Sequence, residues 1–357
     1  DRNPVPGGML TLGIPSFRLE KDVLNAEIDI LREMGVEFRC GVEVGKDVTI
    51  EQLRAQGYKG FYVAIGAQKS ARLGIPGEEL TGVYGGVDFL RAVNLGQETN
   101  IGKRCAVIGG GNVAMDVARS AVRCGAEKVS IVYRRRICDM TAQDAEIAGA
   151  QAEGCEVLEL TAPLAIETGE EGRVSGLRVQ PQIIGEPRRG RPAPRAAATP
   201  ERVIPCERVF VAIGQDIDSK PFEEMGVACK WGCIVTDWDG AVPNFDGLFS
   251  GGDCQTGPAT VIRAIAAGKV AAANIDEYLG FHHEIRVDVD IPAPRLNNRP
   301  PHGRINTTER QACERKCDFE DIECGLTEEG AVTEASRCLR CDHFGYGIFR
   351  GGRDIKW

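Results

Sequence analysis

Gly109, Gly111 and Ala114 follow the apolar run at residues 104–108 with the spacing G-x-G-x-x-G/A. Gly109 permits a tight turn, Gly111 lets a pyrophosphate approach the backbone, and Ala114 keeps the next helix close to the strand. The free N–H groups at Asn112 and Val113, at the positive end of that helix, face the phosphates. Val113, Val117, Ala121 and Val122 supply its buried stripe, Gly125 ends it, and residues 129–133 read as a second buried strand. An NAD site places a carboxylate at the end of that strand to accept from the ribose 2′-OH; this chain has Tyr133, Arg134, Arg135 and Arg136. Guanidinium groups suit a 2′-phosphate by charge and by forked hydrogen bonding. The expected dinucleotide is NADP(H), and the plain alternative is a solvated basic strand end.

A second group of reactive residues lies near the C-terminus. Cys338 and Cys341 form a C-x2-C pair, and Cys313, Cys317 and Cys324 precede it. Five thiols there can supply the four ligands of a [4Fe–4S] cluster, with zinc the rival metal and an uncommitted thiol group the third reading. Arg337 and Arg340 favour the thiolate form. The other cysteines are scattered, mostly beside apolar runs where a thiol serves as a small core residue. No closely spaced pair adjoins a nucleotide motif, which argues against a disulfide-reductase mechanism. The histidines have no metal spacing.

The elements that must position these groups alternate between strand and helix, the pattern of an α/β chain with parallel sheets. Residues 21–34 and 49–56 read as helices, 36–44 and 61–65 as strands, 140–154 as a helix, and 157–160, 165–168 and 174–180 as strands. Residues 185–202 are Pro- and Arg-rich, read as the tip of a β-hairpin, with a basic docking surface as the alternative. The strand ending Ala64-Ile65-Gly66 is repeated at Ala212-Ile213-Gly214, which predicts two related nucleotide domains, each closed by the same crossing segment. The chain is expected to return to its first domain near residues 233–237. Prolines 292, 294, 300 and 301 mark an extended linker that lets the tail reach away, and residues 327–337 read as a capped helix ahead of Cys338. The 357 residues are enough for two cores. A net charge of −9 argues against nucleic acid, no run is long enough for a transmembrane helix, and no secretory leader is read. Fourteen cysteines without a secreted-scaffold pattern point to a reducing, cytoplasmic setting.

The motifs together resemble the FAD- and NAD(P)-binding two-domain oxidoreductases. Within that group the likeness is to the small (beta) subunit of glutamate synthase, the NADPH-binding half of dihydropyrimidine dehydrogenase, and the flavin subunits of NADPH-linked iron–sulfur oxidoreductases. The resemblance rests on Gly7-Gly8-Met9-Leu10, Gly13 to Leu19, Ala64-Ile65-Gly66, Ile75-Pro76-Gly77, Val107 to Asp116, Tyr133-Arg134-Arg135, Ala212 to Gln215, and Phe249 to Asp253. It implies two Rossmann-like domains: FAD-binding residues 1–95 and 236–280, NADP-binding residues 96–235, and a linker with a Cys-rich tail at 281–357. It also implies that the first βαβ unit of the FAD domain lies before Asp1, so that the domain is incomplete at its N-terminus, with Asp1 near the FAD ribose. Gly8, Arg18, Gly66, Asp253 and Thr260 would line the FAD side. Gly109, Gly111, Asn112 and Val113 would hold the NADP pyrophosphate and Arg134 and Arg135 the 2′-phosphate, with Leu10, Val44, Ala64, Asp116, Gly214, Gly252 and Val261 as further cofactor-binding residues. The segment from Glu334 to Cys341 resembles one that precedes iron–sulfur ligands. The implied activity is electron transfer from NADPH through FAD to iron–sulfur centres of a partner such as the glutamate synthase large subunit or a ferredoxin, with no catalytic side chain of its own. The different-class alternative is a non-catalytic scaffold that keeps the fold without turnover.

Overall fold

The computed structural model describes residues 1–188, 190–283 and 303–337. Its central sheet is parallel, in the order Val83–Gly85, Arg208–Val211, Arg104–Ile108, Lys128–Val132, Glu156–Leu158. Short, continuously apolar strands suit a sheet covered on both faces. Cys105, Val107, Val129, Ile131 and Phe210 point to one side, against helices Gly86–Asn94, Asn112–Arg123 and Asp144–Ala152. Their neighbours Ala106, Ile108, Val132, Val209 and Val211 point to the other. There they meet Ile166, Leu177 and Val179 of an antiparallel sheet built from Thr161–Thr168, Val174–Arg188 and Arg202–Pro205. The Pro- and Arg-rich stretch is a β-hairpin, as expected: Arg191–Ala196 folds back on the outer half of Val174–Arg188.

A second core gathers Ile50, Val63, Phe222, Val227, Ile234, Val242, Leu248 and Cys254. Its parallel strand pair is Phe61–Val63 with Leu248–Ser250, and helix Val261–Tyr278 follows. Ile217 already packs on this core, so the chain re-enters it ahead of residues 233–237. The residues that follow the duplicated Ile-Gly segments meet, with Lys69–Ser70 and Gln215–Asp216 paired antiparallel between the two cores.

Several local expectations are corrected. Residues 36–44 form no ladder strand: Asp1 donates to the Arg39 carbonyl, Gly41 to that of Asn3 and Val42 to that of Asp1, while Val36 donates back to Leu31 and Val44 makes a lone bridge with Val48. The helix expected at 140–154 is Asp144–Ala152, preceded by a 3-10 turn at Ile137–Asp139. The strand expected at 165–168 begins at Thr161. The tail does not stand apart. Within residues 303–337, Arg315 is buried, Phe319 packs on Phe17 with ring centres 6.1 Å apart, and Ile322 donates to the Phe17 carbonyl. The linker prolines, Cys338 and Cys341 lie outside the described residues.

Candidate functional site

Loops at the carboxyl ends of parallel strands are where open α/β sheets bind ligands. In the five-stranded sheet these loops bring together Gly109–Gly111, Tyr133–Arg135 and Ala212–Gly214. Gly109 has φ +152°, and a Cβ on it would lie 2.2 Å from the Ala212 carbonyl oxygen. A Cβ on Gly110 would sit 2.5 Å from the Tyr133 ring. Gly111 differs: its nearest neighbour, Thr141 Oγ1, would be an ordinary 3.5 Å away. The protein therefore leaves room at Gly111, the residue expected to admit a phosphate. Gly111 caps helix Asn112–Arg123 with no side-chain hydrogen bond, so the first-turn N–H groups are not covered by a capping side chain. Ala114 is fully buried beside Gly109, and Asn112 Oδ1 accepts from Gln143 N–H at 3.0 Å.

At the ribose end the three arginines have different commitments. Arg136 is spent on Asp139, through hydrogen bonds of 2.8 and 3.0 Å. Among the described residues Arg135 donates through Nε alone, to the Pro192 carbonyl at 2.7 Å, and its terminal fork has no described partner. Arg134 is exposed and makes no hydrogen bond or ion pair with the described residues. Sequence reading missed Arg191, which donates to the Asp139 carbonyl at 2.9 Å and to the Tyr133 hydroxyl at 3.4 Å. Nothing in its local sequence marks it, since the hairpin alone brings it there.

Around the second core lie several of the residues expected on the FAD side. A cavity of about 350 Å³ is lined by Val44, Val63, Ala64, Ile65, Phe222 and Leu248, with Asp1, Arg2, Glu43 and Asp218 also on its wall. Asp1 accepts from Asn3, and Arg2 pairs with Asp218 at 2.7 Å. Beyond the parallel strand pair, Gly66 (φ +64°) and Gly252 (φ +74°) turn the chain. Asp253 accepts from Ala259 N–H at 3.0 Å; burial pushes its carboxyl up, and that hydrogen bond opposes the shift. Thr260 precedes helix Val261–Tyr278 without a side-chain cap, and Val261 is exposed. A Cβ on Gly8 would meet nothing within 4 Å. The Leu10 carbonyl accepts from Lys21, whose ammonium is pulled down to about 8 by burial, with Asp116 opposing. Open glycine turns and an uncapped helix start are surfaces that an extended dinucleotide fits.

Arg18 and Asp116, both expected at a cofactor, are paired with each other. Arg18 Nη1 reaches the Asp116 oxygens at 2.8 and 3.0 Å, and Arg18 Nε reaches Glu146 at 3.0 Å. Burial pushes the Asp116 carboxyl up to about 6 against the pull of Arg18. Next to this clamp, Glu153 accepts from Arg119, Arg123 and Arg315 at 2.7, 2.5 and 2.9 Å. Burial alone would raise the Glu153 carboxyl; the Arg119 and Arg123 hydrogen bonds outweigh it and hold the group at about 2. The guanidinium groups of Arg119 and Arg123 also lie 5.0 and 4.0 Å from the Phe17 ring centre.

Cys313, Cys317 and Cys324 are exposed on the docked tail, and no group of three or more metal-ligating side chains forms among the described residues. Burial pushes the thiols of Cys105, Cys155 and Cys206 up to about 12, which fits inert core residues. Among the described residues no helix is long and apolar enough to cross a membrane.

The profile of the family described as pyridine nucleotide-disulphide oxidoreductase matches residues 25–268, and the chain belongs to that family. The NADP(+)-dependent formate dehydrogenase subunit beta of Moorella thermoacetica is 37% identical over 364 residues, covering 98% of this chain and 51% of that protein. The NADPH-Fe(3+) oxidoreductase subunit beta of Geobacter sulfurreducens is 32% identical over 375 residues, covering 94% and 56%. The glutamate synthase [NADPH] small chain of Halomonas elongata is 38% identical over 295 residues, covering 78% and 62%. The chain thus spans about half the length of the first two relatives. Among solved structures, Mycobacterium tuberculosis FprA in complex with NADPH superposes with a TM-score of 0.63 at 20% identity, covering 80% of this chain and 79% of that one. T. acidophilum thioredoxin reductase gives 0.58 at 20% identity, covering 78% and 88%. At that identity the likeness establishes the fold alone, the two-dinucleotide-binding flavoprotein fold that the paired Ile-Gly segments imply.

Proposed function

We propose that the chain is the electron-entry part of a larger NADPH-dependent flavoprotein oxidoreductase of the glutamate synthase small-subunit type. The observation that carries this reading is the uncommitted Arg134 beside the half-committed Arg135, where an NAD site would hold a carboxylate. The relatives support it, since NADP(+) or NADPH stands in each of the three names above. Bound FAD would supply the chemistry that links two-electron hydride transfer from NADPH to one-electron release. The protein's part is to hold and orient. Gly109, Gly111, Asn112 and Val113 cradle the pyrophosphate, and Arg134 and Arg135 take the 2′-phosphate. Gly8, Gly66, Gly252, Asp253 and Thr260 border the FAD side. The domain division follows: FAD on residues 1–95 and 236–280, NADP on 96–235. Cys313, Cys317 and Cys324, with Cys338 and Cys341, are the ligand pool for an iron–sulfur centre, with zinc as the rival occupant. The partner is an iron–sulfur or catalytic subunit such as the glutamate synthase large subunit or a ferredoxin.

The test is cofactor preference. Replacing Arg134 and Arg135 together by Ser should raise KM for NADPH, by about 2–4 kcal/mol in binding terms, far more than KM for NADH. Equal use of NADH by the unmodified protein would overturn the assignment.

A further inference from the structure

Arg191 is brought across the fold to the end of strand Lys128–Val132 by the hairpin of Val174–Arg188 and Arg191–Ala196. Its partners there are neutral oxygens: the Asp139 carbonyl at 2.9 Å and the Tyr133 hydroxyl at 3.4 Å, both reached by Nη2. The nearby Asp139 carboxylate is already held by Arg136, and Arg191 has no ion pair among the described residues. The Glu159 carboxylate is engaged with Ile137 N–H at 2.8 Å. Arg191 therefore keeps its positive charge, with Nε and Nη1 still able to donate. The Tyr133 ring that anchors it lies against Gly110 of the phosphate turn. The strand Arg191–Ala196 also accepts Arg135 Nε on the Pro192 carbonyl at 2.7 Å, so Arg191 and the fork of Arg135 are both held at the start of that strand.

We infer that Arg191 is a specificity-determining residue that adds a third guanidinium, beside Arg134 and Arg135, to a site for the 2′-phosphate of a phosphorylated adenosine. This rests on the NADPH reading above. A dianionic phosphate can accept from several forked donors at once, and each charge-assisted hydrogen bond is stronger than a neutral one. Hydrogen bonds to a carbonyl and a phenol hold the arginine in place without cancelling its charge.

Calorimetric titration of the purified protein with NADP+, NAD+, 2′-phospho-AMP and AMP separates the possibilities. Arg191→Ala should weaken NADP+ and 2′-phospho-AMP about tenfold and leave NAD+ and AMP within about twofold. Arg191→Gln, which keeps a hydrogen-bonding side chain but no charge, should lose the same selectivity and flatten the salt dependence of NADP+ binding. It also decides the matter if the Ala variant melts early. Equal weakening of NADP+ and NAD+ would mean that Arg191 only props Tyr133 and Asp139, and unchanged NADP+ affinity would mean it does nothing at the site; either overturns the inference. If the wild type binds NAD+ as tightly as NADP+, the NADPH reading itself fails. If the wild type prefers NADP+ and loses that preference only on replacing Arg134 and Arg135, the inference fails alone.

Discussion

Gly110 and Gly111 are adjacent and of the same type, yet they answer to different partners. The fingerprint spacing treats position 110 as free, but the Tyr133 ring occupies the space where its Cβ would go. Gly110→Ala must displace that ring, and overpacking of this kind costs about 1–3 kcal/mol. Gly111→Ala meets no such obstacle, and its φ of −102° and ψ of 175° suit any residue. Its stability should change by under about 1 kcal/mol, while its NADP+ affinity falls because the methyl group faces the pyrophosphate. Thermal melts of both variants, with and without NADP+, check this. A Gly111→Ala protein that melts early without ligand, or keeps full affinity, would show that the space at Gly111 is not for phosphate.

At the scale of elements, the described tail docks through two buried side chains, Arg315 and Ile322, of which Arg315 carries the charge. Arg315 ends the short helix Ala312–Arg315 and inserts into the site of Glu153, which is closed on its other sides by Arg119 and Arg123. Around it the contacts are thinner: Ser16 Oγ donates to the Phe319 carbonyl at 3.0 Å, and the two phenylalanine rings touch. Arg315→Met removes the charged bond while Glu153 keeps two partners, so the loss should be about 1.5–3 kcal/mol, felt mainly by the tail. Limited proteolysis should cut residues 303–324 faster in the variant, with cleavage elsewhere unchanged. Cleavage at the wild-type rate would mean that Phe319 and Ile322 suffice to hold the segment.

For the molecule as a whole, the buried charges set the acid side of the stability curve. The Glu153 carboxyl titrates at about 2 in the fold against an ordinary 4.5. Between those values the unfolded chain binds a proton that the folded one does not, so stability is full above 4.5 and is lost as pH falls toward 2. The amount is on the order of 3 kcal/mol. Asp116 works in the opposite sense. Its carboxyl is raised to about 6 from 3.8, so the folded chain takes up its proton first and gains relative stability as pH falls through that window. Glu153→Gln leaves three guanidinium groups facing a neutral amide and should cost about 3–5 kcal/mol at neutral pH. The gap in urea midpoint between wild type and variant should then narrow from pH 4.5 down to 2. A gap that stays constant over that range would exclude Glu153 as the titrating group.

What was legible in the sequence was local. A strand, three glycine-permissive positions and an apolar helical stripe determine the turn at Gly109–Gly111, because the backbone there has few alternatives. The repeated Ile-Gly endings likewise point to two nucleotide units, and the residues that follow the two copies pair with each other. Residues 36–44 misled because alternation reports which faces are apolar, not whether a neighbouring strand exists. The pairing of Arg18 with Asp116, 98 residues apart, the insertion of Arg315 beneath Glu153 and the approach of Arg191 to Tyr133 left no sequence signal. Arginines of one composition become a clamp, an anchor or an open donor according to which carboxylate or carbonyl the packing puts within reach. That choice belongs to distances between elements, and only the tertiary structure makes it.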